Sequence, residues 1–234
     1  MTRIKVLGVA LVAIFAMGAL ASSAMAVSGI EFEEPTNMPN GKVMGEQKGT
    51  DTFTVDGSNV TCNIATYNKG NTIPNGTTTT TLHPVYSSCT AFGFIGAEIN
   101  TGNCDYEGMA GGNYEEANMK WNSGEIIINC STTTGEPNSV INISAGTCVA
   151  SVGPQTISSG IHFTNTTANQ NGDGRMDFDL VATNASVTVE KTADGFGCPF
   201  NGTGMTNGTY NGTTTFRCTN PNTDALTGCT VAVF

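Results

Sequence analysis

Val60-Thr61-Cys62-Asn63-Ile64-Ala65-Thr66-Tyr67 is the stretch whose reading decides the fold. Val60, Cys62, Ile64 and Thr66 fall on one face of an extended chain, with polar Thr61 and Asn63 on the other. Side chains of a strand point alternately to its two sides, so a period of two marks a strand with one buried face. Similar short runs recur at 91–99, 125–130, 139–143, 147–152, 161–165, 175–182, 186–190, 210–218 and 229–234, and a first strand is expected near 42–47. No segment has the period of a long amphipathic helix.

Composition agrees. Thr (36 residues) and Asn (24) make up about a quarter of the 234, with 29 Gly besides. Thr suits the pleat because it branches at Cβ, while Asn and Gly accept the positive φ that turns demand. About a dozen short strands separated by turn signals indicate a sandwich or a barrel. The expected fold is all-β, an antiparallel β-sandwich stapled by disulfides. The run 77–81, five threonines, reads as a strand continuing into Leu82 and Val85 with one exposed face.

The N-terminal residues read as an export signal. Arg3 and Lys5 precede an apolar run from Val6 to Leu20, and Ala24-Met25-Ala26 offers small residues for cleavage. The run is shorter than the roughly 20 residues a membrane-spanning helix needs. Residues 1–26 are therefore expected to be a signal peptide, 27–40 an acidic leader, and 41–234 the β domain. No membrane span is expected after signal removal. Without Arg3 and Lys5, seven basic residues face 19 acidic ones, a net charge of −12. Such a surface repels phosphate backbones and anionic lipid, which argues against nucleic-acid binding.

All eight cysteines (Cys62, Cys89, Cys104, Cys130, Cys148, Cys198, Cys218 and Cys229) lie beyond residue 26. An even number in an exported chain reads as disulfides, and no C-x-x-C or histidine cluster points to a metal instead. Composition leaves the pairing open. Chain order favours neighbours: Cys218–Cys229 across a turn rich in Asn, Pro and Gly, then Cys62–Cys89 and Cys104–Cys130, leaving Cys148–Cys198. Cys62 and Cys148 each open a strand–turn–strand unit that closes on a later Cys, so two related β subdomains divided near residue 135 are the alternative organisation.

Several stretches resemble a group of uncharacterised exported proteins of soil actinobacteria. They are Gly45-Glu46-Gln47, Val60 to Tyr67 as above, Pro84-Val85-Tyr86-Ser87-Ser88-Cys89-Thr90-Ala91-Phe92-Gly93, and Asn207-Gly208-Thr209-Tyr210-Asn211-Gly212-Thr213. The resemblance implies a secreted β protein with three recurring bridges, to which Cys218 and Cys229 are an addition. It carries no known activity and transfers no catalytic residue.

The sharpest local motif runs Asn169-Gln170-Asn171-Gly172-Asp173-Gly174-Arg175-Met176-Asp177-Phe178-Asp179. It has the spacing of a calcium loop, with Asn169, Asn171, Asp173, Asp177 and Asp179 as candidate ligands and Gly at the sixth position. Asn169 replaces the usual Asp, and Leu180 stands where a bidentate acid belongs. The competing reading is a hairpin turn, because Asn-Gly and Asp-Gly are strong hairpin signals. Nine N-x-[ST] triplets, among them those at Asn129 and Asn165, are what a chain rich in Asn and Thr produces by composition.

Catalytic patterns are sparse. There is no G-x-S-x-G, and a hydrolytic triad must draw on His83 or His162, both of which sit in strand-like runs. Glu107, Glu115, Glu116 and Glu125 are the acids from which a glycosidase pair would come, with Glu115-Glu116 reading as a solvated turn. Trp121, the sole Trp, is either a sugar-stacking platform or a core filler. The C-terminal aromatic Phe234 suits an outer-membrane barrel, but the chain lacks repeated lipid-facing segments. The expected function is a secreted structural or cell-surface interaction protein without catalysis. The alternatives are a glycan- or cell-wall-binding module, with calcium as its one candidate cofactor, and, behind it, a hydrolase. Its expected partner is an extracellular glycan or protein.

Overall fold

The computed structural model describes residues 28–32, 39–131, 140–166, 175–193, 198 and 202–233. The strands in chain order begin with β1 (Ser28–Phe32), β2 (Asn40–Gln47), β3 (Asp51–Val55), β4 (Ser58–Pro74), β5 (Thr80–Leu82) and β6 (Pro84–Ala91). Then come β7 (Ile95–Asn100), β8 (Cys104–Glu115), β9 (Lys120–Cys130), β10 (Ile141–Ala145), β11 (Cys148–Val152) and β12 (Gln155–Ile157). The last are β13 (Ile161–Thr166), β14 (Asp177–Ala193), β15 (Gly204–Thr219), β16 (Leu226–Thr227) and β17 (Cys229–Val233). Among the described residues no helix is long and apolar enough to cross a membrane.

The protein is all-β, and its main sheet closes. Strands β15, β2, β4, β6, β7, β10, β11 and β14 pair in that order, and β14 pairs back onto β15. The outcome is a barrel with extra strands rather than the expected sandwich. Three long strands explain the difference. β15 and β4 are each long enough to take both β2 and β3 as partners, and β14 takes β13 along its first half and β11 along its second. Closure leaves few unpaired backbone edges, which is its physical advantage. From β14 the sheet continues through β13 to β9, β8 and β5, with β12 also on β9.

Pairing crosses residue 135 freely. β7 lies against β10, and β2 and β3 against β15. The two-subdomain division is therefore corrected: one core serves both halves of the chain. The leader is corrected as well. Its residues 28–32 form β1, which pairs with β17 and buries Ile30. Strand β17 lies in this two-stranded sheet and not in the ring, and Phe234 lies outside the described residues.

The alternation read at 60–67 holds only halfway. Val60 and Cys62 are buried, but Asn63 and Ile64 are both exposed, and Ala65 and Tyr67 then turn inward. The partner strand does the same: Ser87 and Ser88 are both exposed, Ser88 at φ +53°, with Cys89 buried on one side and Pro84 on the other. Register is preserved, Cys62 facing Cys89 and Thr66 facing Val85. Both strands thus reverse their inward face at the same level, and this reversal brings Tyr67 into the barrel. The runs at 175–182 and 186–190 prove to be one strand, β14, with an irregularity at Ala182–Ala185. Of the threonine run, only Thr80 and Thr81 belong to β5.

The disulfides are Cys62–Cys89, Cys104–Cys130, Cys148–Cys198 and Cys218–Cys229. The first two link residues directly opposite each other on paired strands.

Candidate functional site

Asp51 opens β3 and points inward with Phe53 and Val55, so its carboxylate lies in the core, 2 % exposed. Four tyrosines from four other strands converge near it: Tyr67 (β4), Tyr86 (β6), Tyr106 (β8) and Tyr210 (β15). The Tyr67 hydroxyl lies 3.5 Å from Asp51 Oδ2, 3.3 Å from the Tyr210 hydroxyl and 3.5 Å from that of Tyr86. The Tyr86 hydroxyl in turn lies 3.4 Å from that of Tyr106. These are long contacts beside the ~2.7–2.8 Å of an ordinary O–H···O bond. Asp51 Oδ1 is buried and has no hydrogen-bond partner.

Room for this oxygen comes from Gly212. A Cβ there would stand 2.3 Å from Asp51 Oδ1 and 2.7 Å from the Tyr210 hydroxyl. Apolar cavities flank the cluster. One of about 60 Å³ is walled by Ile99, Ile141, Ile143 and Val187, and Asp51 lines it. The other, of about 50 Å³, is walled by Leu82, Phe178 and Phe216. Tyr106 and Tyr210 border both.

Burial dominates the electrostatics. It pushes the Asp51 carboxyl up to about 7, against the smaller opposing effects of the nearby Tyr210 and Tyr67 hydroxyls. Burial likewise pushes the Tyr67 phenol up to about 12, with the neighbouring Asp51 charge adding to it. The phenols of Tyr86, Tyr106 and Tyr210 are raised too, again chiefly by burial.

A second feature lies on the surface of the β8–β9 hairpin: a groove of about 470 Å³ lined by Ser28, Thr78, Gly111, Gly112, Ser123 and Glu125, with Ser158 at its exposed rim. Gly112 adopts φ +73°, and a Cβ on it would strike Ser123 Oγ at 2.3 Å and Asn122 Oδ1 at 2.5 Å. Met109, Ala110 and the glycines give the groove a largely apolar floor, with Thr78, Ser123, Glu125 and Ser158 as its polar groups. Ser28 Oγ donates to the Ala110 carbonyl and ties β1 to this region.

The residues singled out from sequence disperse. Trp121 is corrected: it is 0 % exposed, packs on Tyr114 with ring centroids 5.3 Å apart, and donates its indole N–H to the Val231 carbonyl at 3.1 Å. It offers no face to a ligand in solution. His83 Nδ1 lies 3.1 Å from Asp105 Oδ1, both half-buried, while His162 sits apart on β13, its imidazole pKa lowered by partial burial and by Lys120. Glu107 accepts a hydrogen bond from Asn129 Nδ2, and Glu125 lies on the neighbouring strand, opposite Met109. Glu115 and Glu116 are exposed where β8 runs into a short 3₁₀ turn.

Of the calcium-loop residues, Asn169, Asn171 and Asp173 lie outside the described residues. Asp177 and Asp179 begin β14, which pairs with β13 as a hairpin. Their carboxylates are engaged by other side chains. Asp179 accepts from Lys48 Nζ at 2.9 Å and from Thr215 Oγ1 at 2.7 Å, and Asp177 Oδ2 lies 3.9 Å from Arg217 Nε. Both carboxylates serve the wall between β14, β15 and β2. Among the described residues no three His, Cys, Asp or Glu side chains gather as a metal would require.

Comparison with protein-family models, curated proteins and solved structures finds no match to this chain. Sequence reasoning missed Asp51 and its tyrosines. A signal was present: Asp51 alternates with Phe53 and Val55, which makes it an acid on the buried face of its own strand.

Proposed function

We propose that this is an exported interaction protein without catalysis of its own, which holds an extracellular or cell-wall glycan in the groove beside the β8–β9 hairpin. The groove carries this reading. At about 470 Å³ it has the size of a small-ligand site, and it sets a few hydroxyls and one carboxylate around a largely apolar floor, as the hydroxyls and C–H faces of a sugar require. Four disulfides suit an oxidising exterior. The resemblance to exported actinobacterial proteins supports the same compartment.

Cosedimentation of the oxidised chain 27–234 with actinobacterial cell walls tests the proposal. Saturable pelleting is expected, and Ser158→Trp, which places a large ring at the groove rim without touching the core, is expected to weaken it. An EDTA arm measures any contribution of calcium at 169–179. Absence of pelleting, or undiminished pelleting of Ser158→Trp, overturns the groove as the binding element.

A further inference from the structure

A buried carboxylate oxygen without a partner is costly, because it has given up water and received nothing in exchange. Asp51 Oδ1 is such an atom. The basic side chains along the neighbouring wall are engaged with other acids, Lys48 with Asp179 and Arg217 with Glu46. What surrounds Asp51 is phenol and hydrocarbon: four tyrosines at loose spacing, and beyond them an aliphatic cavity.

We propose that Asp51 and the tyrosines around it form an internal site for a small primary ammonium ligand, its head on Asp51 Oδ1 and its short alkyl tail in the cavity walled by Ile99, Ile141, Ile143 and Val187. An ammonium group brings one positive charge and three N–H donors. One donor goes to Asp51 Oδ1, and the others go to the hydroxyl oxygens of Tyr67 and Tyr210, which remain free to donate onward. Gly212, having no Cβ, lets Oδ1 and the Tyr210 hydroxyl both approach its backbone, which sets the two oxygens on the same side of the site. The alternatives fit less well. Calcium takes about six to eight oxygen ligands, where this cluster offers one carboxylate and neutral phenols. Water supplies a donor but neither the countercharge nor any use for the aliphatic wall.

The test is thermal melting and calorimetry of the oxidised chain 27–234 at about pH 8, where Asp51 carries its charge and the amines remain protonated, with methyl-, ethyl- and propylammonium chloride. Matched sodium chloride, calcium chloride and 1-propanol serve as controls. Expected is a saturable rise in Tm with the amines, stronger for ethyl- than methylammonium, and an affinity lower by about tenfold or more in Asp51→Asn, whose shape is unchanged. Should Asp51→Asn fail to fold, contacts between ¹³C-methylammonium and the ring protons of Tyr67 and Tyr210 are read by NMR in the unaltered chain. The proposal is overturned if no amine gives a saturable shift, if Asp51→Asn binds equally well, if sodium or calcium ions act as strongly as the amines, or if the NMR contacts are absent. The groove plays no part in this experiment, so the two readings fail separately.

Discussion

The side chain of Asn165 pairs with the backbone of Val231 as a neighbouring strand would. Asn165 Nδ2 donates to the Val231 carbonyl at 3.1 Å, and the Val231 N–H donates to Asn165 Oδ1 at 2.8 Å. The same carbonyl also accepts the indole N–H of Trp121. Both residues are buried. This pairing latches β17 to the body of the protein. Asn165→Ala leaves a buried backbone N–H without a partner, and a loss of about 1–3 kcal/mol is expected. A lower urea midpoint at unchanged m value is the reading. Burial also shields the triplet that begins at Asn165, so peptide mass mapping after expression in a glycosylating host should find this Asn bare.

Asp51 makes stability depend on pH in an unusual direction. The free carboxyl ionises near 3.8 and the folded one at about 7. Between these values the folded chain holds a proton that the unfolded chain has lost. The contribution is therefore fully present below about 4, falls as pH rises through the window, and levels off above about 7. The size is on the order of a few kcal/mol. Urea unfolding at pH 5 and pH 8 should show Asp51→Asn gaining on the unaltered chain at the higher pH. Parallel behaviour at both would contradict the burial of this charge.

Alkaline ultraviolet titration reports on the cluster as a whole. Tyr67, Tyr86, Tyr106 and Tyr210 are all raised above the ordinary phenol value of 10.0. Their phenolate absorbance should appear together with unfolding rather than before it. A smooth titration of all tyrosines in the folded protein would place the phenols in water.

The four bridges should differ in worth. Cys148–Cys198 closes a separation of 50 residues and Cys218–Cys229 one of 11. In the chain-entropy account these correspond to about 4 and about 3 kcal/mol respectively. Paired Cys→Ala variants compared by urea unfolding should rank in that order.

Much of the local structure was legible before the fold. Runs read at 125–130, 139–143, 147–152 and 161–165 fall on β9, β10, β11 and β13, because a half-buried strand must alternate. Neighbouring cysteines were the natural partners, and Cys62–Cys89 and Cys104–Cys130 lie face to face on adjacent strands. Trp121 shows where this reasoning stops: its sequence neighbours Lys120 and Asn122 are polar, and only the arrival of β17 decides that the indole is covered. Asp177 and Asp179 have calcium-loop spacing, yet Lys48, Thr215 and Arg217, distant in sequence, claim their oxygens.

By itself the sequence determined the class of the protein: extended segments, glycine- and asparagine-rich turns, an acidic surface and an even set of cysteines. Those properties are carried by each residue and its near neighbours. Only the tertiary structure decided that the sheet closes, that β4 and β6 reverse their inward faces together at Asn63–Ile64 and Ser87–Ser88, and that Asp51 meets Tyr67, Tyr86, Tyr106 and Tyr210. Each of these depends on which strand lies beside which. Such partners are chosen by packing across the whole core, between residues up to about 160 positions apart in the chain, where no local periodicity reaches.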